Sequence, residues 1–194
     1  EHLYLTNVTA SSAVSGGMHV GGMFGTIDAD EVEIAECAVT TENLNATSVT
    51  GSENVGGFVG STSTWTWNYV NKDNKKALYM SIDVAASKRY AGGFAGLANG
   101  CEVLLDCMTF NPAMLVKAPY ACGGVYGKAS YVGIYGDYKV DFGTYATIPK
   151  ENDEATISLN VSGEEVVGGL VGFLGSGSEI SYTHARCTVN GAGD

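Results

Sequence analysis

Few side chains in this sequence are grouped in a way that supports catalysis. The carboxylates of interest form two clusters in turn-like segments: Asp28, Asp30, Glu31 and Glu33, then Glu151, Asp153 and Glu154. Paired carboxylates can cleave glycosidic bonds, and a carboxylate loop can hold calcium for polysaccharide cleavage. Neither cluster has the Asp-x-Asp-x-Asp-Gly spacing of a calcium loop, and His2, His19 and His184 are scattered without a nucleophile–base grouping. We therefore expect solvated turn charges, no metal, no cofactor and no enzyme activity.

Aromatic side chains are the stronger candidates for ligand binding. Trp65, Trp67 and Tyr69 alternate along a strand-like segment, which predicts that all three project from one face. A later tyrosine-rich segment adds three more rings, those of Tyr131, Tyr135 and Tyr138. Rows of rings can stack on sugars or anchor a protein partner. The alternative is that the row fills the core, and the sequence leaves both interpretations open.

Thiol chemistry has weaker support. The sequence has five cysteines: Cys37, Cys101, Cys107, Cys122 and Cys187. No C-x-x-C pair occurs, which argues against a zinc site or a thioredoxin-like centre. Cys101 and Cys107 are close enough in sequence to bridge a turn, and Cys122 is an alternative disulfide partner for either. The other interpretation is a buried free thiol, above all for Cys37 and Cys107.

Composition and charge exclude several classes of partner. Hydrophobic residues make up 45% of the chain and charged residues 16%, which is typical of a globular protein and not of a disordered one. The net charge of −11 repels nucleic acid phosphates and anionic membranes. No apolar run approaches the roughly 20 residues of a membrane helix. We therefore expect neither nucleic acid binding nor membrane insertion.

Other features favour an exported protein. Candidate N-glycosylation sites of the form N-x-S/T occur at Asn7, Asn45 and Asn160. The sequence opens in strand-like residues at Glu1, with no initiator methionine and no signal peptide. We expect a mature or trimmed extracellular or cell-surface product. Its two ends lack caps, which leaves two interpretations: a segment of a longer repeat array, or end repeats that pair head to tail.

These residues are positioned by a motif that the chain repeats five times. Its last copy reads Val-Gly-Gly-Leu-Val-Gly, and the five copies, here called the anchors, occupy residues 20–25, 55–60, 91–96, 122–127 and 167–172. The first glycines of the pairs are Gly21, Gly56, Gly92, Gly123 and Gly168, so consecutive repeats are 35, 36, 31 and 45 residues long. A period in this range is typical of solenoids, propellers and repeat arrays.

The repeat predicts a single all-β domain over residues 1–194, folded as a right-handed parallel β-solenoid (β-helix). About five repeats would stack their anchors about 4.8 Å apart, with loop insertions in the second and fourth. Stacking would place Met23, Phe58, Phe94, Val125 and Leu170 in one apolar column. A propeller is the alternative, but four strands per blade are crowded in the 31-residue repeat. The handedness follows from the general preference of parallel crossover connections.

The last repeat resembles the GLUG repeat of bacterial surface and secreted proteins. The resemblance rests on the anchor at 167–172, the Gly/Ser turn after it, the Ile180-Ser181 strand and the closing Thr-Val-Asn-Gly. That family commonly has a cysteine after the isoleucine strand, where this chain has Cys37 and Cys107. Some adhesins and immunoglobulin A peptidases contain such repeats outside their catalytic parts. The resemblance implies a β-solenoid stalk or an adhesive module without catalytic residues.

The expected function is therefore that of a non-enzymatic structural or adhesive module. Its partners would be neighbouring repeats or further copies of itself, joined end to end into a filament or surface fibre. The alternative is an adhesin domain that binds carbohydrate or a host protein through the aromatic residues of the second and fourth repeats.

Overall fold

The structure, a computed structural model, describes residues 1–41, 48–70, 77–136, 155–157, 159–181 and 183–192. Within these ranges the protein is all-β, with one 3₁₀ turn at Leu105–Cys107. The strands are β1 His2–Thr6, β2 Thr9–Ala10, β3 Val14–Ser15, β4 Met18–Gly21, β5 Phe24–Ile27, β6 Glu31–Ala35, β7 Cys37–Thr40, β8 Ser48–Gly56, β9 Val59–Thr62, β10 Thr66–Val70, β11 Leu78–Ser81, β12 Asp83–Gly92, β13 Ala95–Leu104, β14 Met108–Phe110, β15 Leu115–Ala118, β16 Ala121–Gly123, β17 Tyr126–Tyr135, β18 Ala155–Ile157, β19 Asn160–Gly163, β20 Val166–Gly168, β21 Val171–Leu174, β22 Glu179–Ser181, β23 Thr183–Ala185 and β24 Thr188–Gly191.

Every pairing between these strands is parallel, and each joins a strand to its counterpart in the next repeat. The anchors stand in register through β4, the ends of β8 and β12, β16 and β20. Directly after them, β5, β9, β13, β17 and β21 form a second sheet. The anchor spacing predicted this parallel stacking, which is confirmed.

The remaining strands repeat the same order around each unit. β1, β6 and β10 form one sheet, and the ends of β13 and β17 pair in the same manner with each other and with β22. Next come β2, β7, β11 and β14, and the separate pair β18 and β23. β3, the starts of β8 and β12, β15, β19 and β24 close each repeat and lead into the next anchor. Successive repeats thus contribute corresponding strands to the same parallel sheets.

The core lies between these sheets and is built from stacked columns of like residues. One column is valine at six successive levels: Val14, Val49, Val84, Val116, Val161 and Val189. Its four inner members are fully buried. In the predicted apolar column the rings of Phe58 and Phe94 stack with centroids 5.5 Å apart. Burial of each such side chain contributes about 1.5–3 kcal/mol.

The second anchor requires glycine at each of its three positions because backbone occupies the space of a side chain. A Cβ on Gly56 would lie 2.0 Å from the carbonyl oxygen of Val59 in the same bend. A Cβ on Gly57 would lie 2.1 Å from the carbonyl oxygen of Gly93 in the next repeat. A Cβ on Gly60 would lie 2.3 Å from the carbonyl carbon of His19 across the bend. The glycine columns therefore allow two backbone layers to touch.

The position of Cys107 differs from the sequence-based expectation. Leu78 of β11 pairs with Cys37 on one side and with Met108 on the other, so Cys107 is not the counterpart of Cys37. The 3₁₀ turn at Leu105–Cys107 takes up the intervening residues and shifts the register. Asn45, Tyr138, Glu151, Asp153 and Glu154 lie outside the described residues.

Candidate functional site

The structure separates Trp65 from Trp67 and Tyr69, which the sequence predicted on one strand face. β10 begins at Thr66, so Trp65 is not on the strand that carries Trp67 and Tyr69. Trp65 is 61% exposed, whereas Trp67 is 6% exposed. The prediction of a shared face was wrong because strict alternation holds only within a strand, and Trp65 precedes this one.

Trp67 and Tyr69 belong to the core. The Trp67 ring lies edge-on to Phe94, with centroids 5.4 Å apart, and stacks on the Tyr69 ring at 6.2 Å. The indole N–H of Trp67 donates to the carbonyl oxygen of Thr64 at 2.8 Å. The Tyr69 hydroxyl donates to the carbonyl oxygen of Glu102 at 3.3 Å, and burial raises its pKa well above the ordinary value. For these two residues the core-packing interpretation describes their placement.

Trp65 lies at an exposed corner, between the sheet of β9 and the sheet of β10. Its ring rests on the backbone of Gly100 in the next repeat, where a Cβ would lie 2.5 Å from the indole Cε2. Gly100 has a φ of +69°, so it is also suited to the bend at this corner. Because Gly100 has no side chain, the Trp65 indole can lie directly on its backbone.

The same arrangement recurs two repeats further along the chain. Tyr131, at the corresponding corner of the fourth repeat, is 51% exposed and has a φ of 54°. Its ring rests on Gly177 of the fifth repeat, where a Cβ would lie 2.4 Å from the ring Cδ1. The pairing of β13 with β17 places Gly100 and Tyr131 at the same register position in successive repeats, since the residues on both sides of them pair. We call Trp65, Tyr131 and the two glycines beneath them the aromatic corner.

An acidic cleft adjoins Trp65 on the side of the first repeat. The cleft has a volume of about 380 Å³ and is lined by Glu1, Asp28, Ala29, Asp30, Ser63 and Trp65. The Ser63 hydroxyl donates to Asp28 Oδ1 at 2.8 Å, which holds that carboxylate at the cleft. Part of the cluster expected to be turn charge therefore lies against an exposed aromatic ring.

A second group of polar side chains continues from the aromatic corner along the outer face of β13, β17 and β22. Glu102 and Glu179 both pair with Gly133, one on each side. The ring of Tyr135 covers Gly133, where a Cβ would lie 2.4 Å from the ring Cε2. Partial burial raises the pKa of Glu102, and the nearby charge of Glu179 raises it further.

Sequence reasoning did not bring Trp65 and Tyr131 together, although a countable signal was present. Trp65 comes nine residues after Gly56, and Tyr131 comes eight residues after Gly123. Asp30 comes nine residues after Gly21, and Gly177 nine after Gly168. Counting from each anchor, instead of alternating along one strand, indicates the shared corner.

Comparisons of the chain with family models, with curated proteins and with solved structures gave no match. Within the described ranges, no group of three or more His, Cys, Asp and Glu side chains could hold a metal ion. The described residues contain no helix that is long and apolar enough to cross a membrane.

The structure forms no disulfide among the five cysteines, so the bridge expected among Cys101, Cys107 and Cys122 is not present. Cys101 accepts a hydrogen bond from the Tyr126 hydroxyl at 3.3 Å, deep in the core. Cys122 points instead to the carbonyl oxygen of Ser162, at 3.2 Å, on another sheet. Burial raises the pKa of the Cys101 thiol to about 12, so it is protonated at neutral pH and is a poor nucleophile.

The two candidate glycosylation sites in the described ranges differ in exposure. Asn7 is exposed, with a φ of 56°, in the bend after β1. Asn160 begins β19, and its amide nitrogen donates to the carbonyl oxygens of Pro112 and Met114, each at 3.4 Å. Asn7 therefore has the more accessible side chain.

Proposed function

We propose that this chain is a right-handed parallel β-solenoid of GLUG-like repeats that serves as a non-enzymatic structural or adhesive module outside the cell. The observation that carries the proposal is the in-register stacking of five anchors from repeats of unequal length. In a solenoid each unit buries its inner face only against its neighbours, and the glycine columns and the valine column fit that rule.

The last described repeat continues the core columns. Val189 is 44% exposed, whereas Val161, its register partner, is fully buried. Ile180 is 38% exposed beside the fully buried Ile134, and Leu174 is 44% exposed. A further repeat of the same protein, or the first repeat of a second copy, would cover these side chains with the same kind of packing. We propose the second arrangement, in which copies stack end to end into a filament.

Removal of one whole repeat tests the solenoid. Deletion of residues 91–121 joins Tyr90 to Cys122, which then takes the register position of Ala91. We expect this variant to keep its β-sheet circular dichroism and to unfold cooperatively, with a smaller denaturant dependence because less surface is exposed on unfolding. The matched control, deletion of residues 91–106, joins strands of different sheets and is expected not to fold. Failure of both variants to fold contradicts the proposal.

Light scattering of the purified chain over a range of concentrations tests the association. We expect the average mass to rise with concentration and Leu174→Lys with Val189→Lys to abolish the rise. The control is Tyr79→Lys, which changes an exposed ring on the side of a middle repeat. A chain that stays monomeric at high concentration contradicts end-to-end stacking. So does a rise in average mass that is unchanged by Leu174→Lys with Val189→Lys.

A further inference from the structure

The aromatic corner has the form of a ligand platform, and this does not depend on end-to-end stacking. Single exposed apolar residues are ordinary on protein surfaces. Here two exposed rings lie at corresponding corners of alternate repeats, and each is supported by a glycine of the repeat that follows. A ring that is already held against backbone loses little conformational freedom when a ligand stacks on it.

The spacing of the rings matches a repeating linear ligand. Trp65 and Tyr131 both lean one repeat forward, onto Gly100 and Gly177, so their separation along the stack stays at two strand spacings, about 10 Å. In a β-1,4-linked sugar chain each ring is turned over relative to the previous one. Every second ring therefore presents the same C–H face, which is the pattern that two aligned rings can bind.

The polar groups near the rings indicate which sugars fit. Asp28 and Asp30 line the cleft beside Trp65, and Glu102 and Glu179 lie on the outer face next to the corner. Carboxylates accept hydrogen bonds from sugar hydroxyls. With a net charge of −11, the same surface repels uronate and sulfated chains. The chemistry thus favours an uncharged sugar chain.

We propose that the aromatic corner binds a neutral, linear, β-1,4-linked oligosaccharide. One sugar ring stacks on Trp65, with hydroxyls that donate to Asp28 and Asp30, and the ring two positions along stacks on Tyr131. The site differs from the expected row of Trp65, Trp67 and Tyr69, because the second platform is a residue of another repeat.

Calorimetry with cellohexaose and chitohexaose, both neutral β-1,4-linked chains, tests the proposal on the full chain. We expect at least one of them to bind, and Trp65→Ala to weaken binding about tenfold or more. Tyr131→Ala is expected to weaken hexaose binding about tenfold and to leave disaccharide binding unchanged, since a disaccharide cannot reach both rings. Tyr79→Ala, which removes an exposed ring elsewhere, is the matched control, and polygalacturonate is expected not to bind.

Fluorescence gives a second measurement that does not depend on truncating either platform. The chain has two tryptophans, and Trp67→Phe leaves the exposed Trp65 as the reporter. Sugar stacking is expected to shift its emission to shorter wavelength. The proposal is overturned if neither hexaose binds, if binding survives Trp65→Ala undiminished, or if polygalacturonate binds equally well. None of these results changes the light-scattering outcome, so the two proposals fail separately.

Discussion

Substitution of one anchor glycine by alanine is the most direct test of the stacked backbone. In Gly57→Ala the new methyl group would lie 2.1 Å from the carbonyl oxygen of Gly93, against an ordinary contact of at least 3.4 Å. Both groups are backbone in the bends that follow β8 and β12, so no flexible side chain can move aside. Relief of the contact requires the second and third repeats to separate at this point.

The magnitude of the effect can be worked out from the contacts that separation disturbs. The Gly57 N–H donates to the Gly92 carbonyl oxygen at 3.1 Å, and the Phe58 N–H donates to the Phe94 carbonyl oxygen at 3.0 Å. Loss of two hydrogen bonds removes about 2 kcal/mol, and overpacking removes about 1–3 kcal/mol more. We expect Gly57→Ala to lower the free energy of unfolding by about 3–5 kcal/mol, a large share of the 5–15 kcal/mol typical of a domain.

Gly17→Ala is the matched control, because a Cβ at that position meets no atom within 4 Å. Guanidinium denaturation followed by circular dichroism gives both free energies. The control is expected to change the free energy of unfolding by less than about 1 kcal/mol, through the unfolded chain alone. Equal losses in the two variants, or a loss below about 1 kcal/mol in Gly57→Ala, would refute the reasoning.

Three further outcomes follow from burial. Trp67→Ala is expected to lower the free energy of unfolding by about 3–5 kcal/mol in chemical denaturation, and Trp65→Ala by less than about 0.5 kcal/mol. Equally small losses in the two variants would contradict the buried placement of Trp67. The folded protein raises the pKa of Glu102 above 4.5, so it binds more protons than the unfolded chain and this residue reduces stability as the pH rises above that value. Glu102→Gln is therefore expected to raise the denaturation midpoint at pH 7 and not at pH 4. Iodoacetamide at pH 8 is expected to label the partly exposed Cys187 faster than the buried Cys101 in peptide mass analysis, and equal labelling would contradict the buried placement.

The sequence was sufficient for the features that every repeat shares. The anchor spacing predicted parallel strands in register, and the residues after the glycine pairs predicted the column that contains Phe58 and Phe94. Both depend on local pattern and on the rule that like positions stack. These are properties of each repeat by itself, which is why composition and period reveal them.

The corner was missed because alternation was followed along one segment instead of being counted from each anchor. β10 starts only at Thr66, so the alternation does not extend from Trp65 to Trp67 and Tyr69. Each ring lies on a glycine of the following repeat: Trp65 on Gly100 and Tyr131 on Gly177. For the cysteines, Cys101 and Cys122 are 21 residues apart but point to different sheets. Such relations require the register of the whole repeat, and the anchor spacing supplies that register only at the anchors.

The parallel pairing has a mechanical consequence. Hydrogen bonds between repeats run along the direction in which the repeats succeed one another, so the boundaries carry tension in that direction in series and the weakest one opens first. A 35-residue repeat spans about 4.8 Å in the stack and about 120 Å as an extended chain. Pulling on the two ends is therefore expected to release length in steps of one repeat, and each step dissipates the work of opening a single boundary. A chain built in this way is expected to lengthen gradually under load.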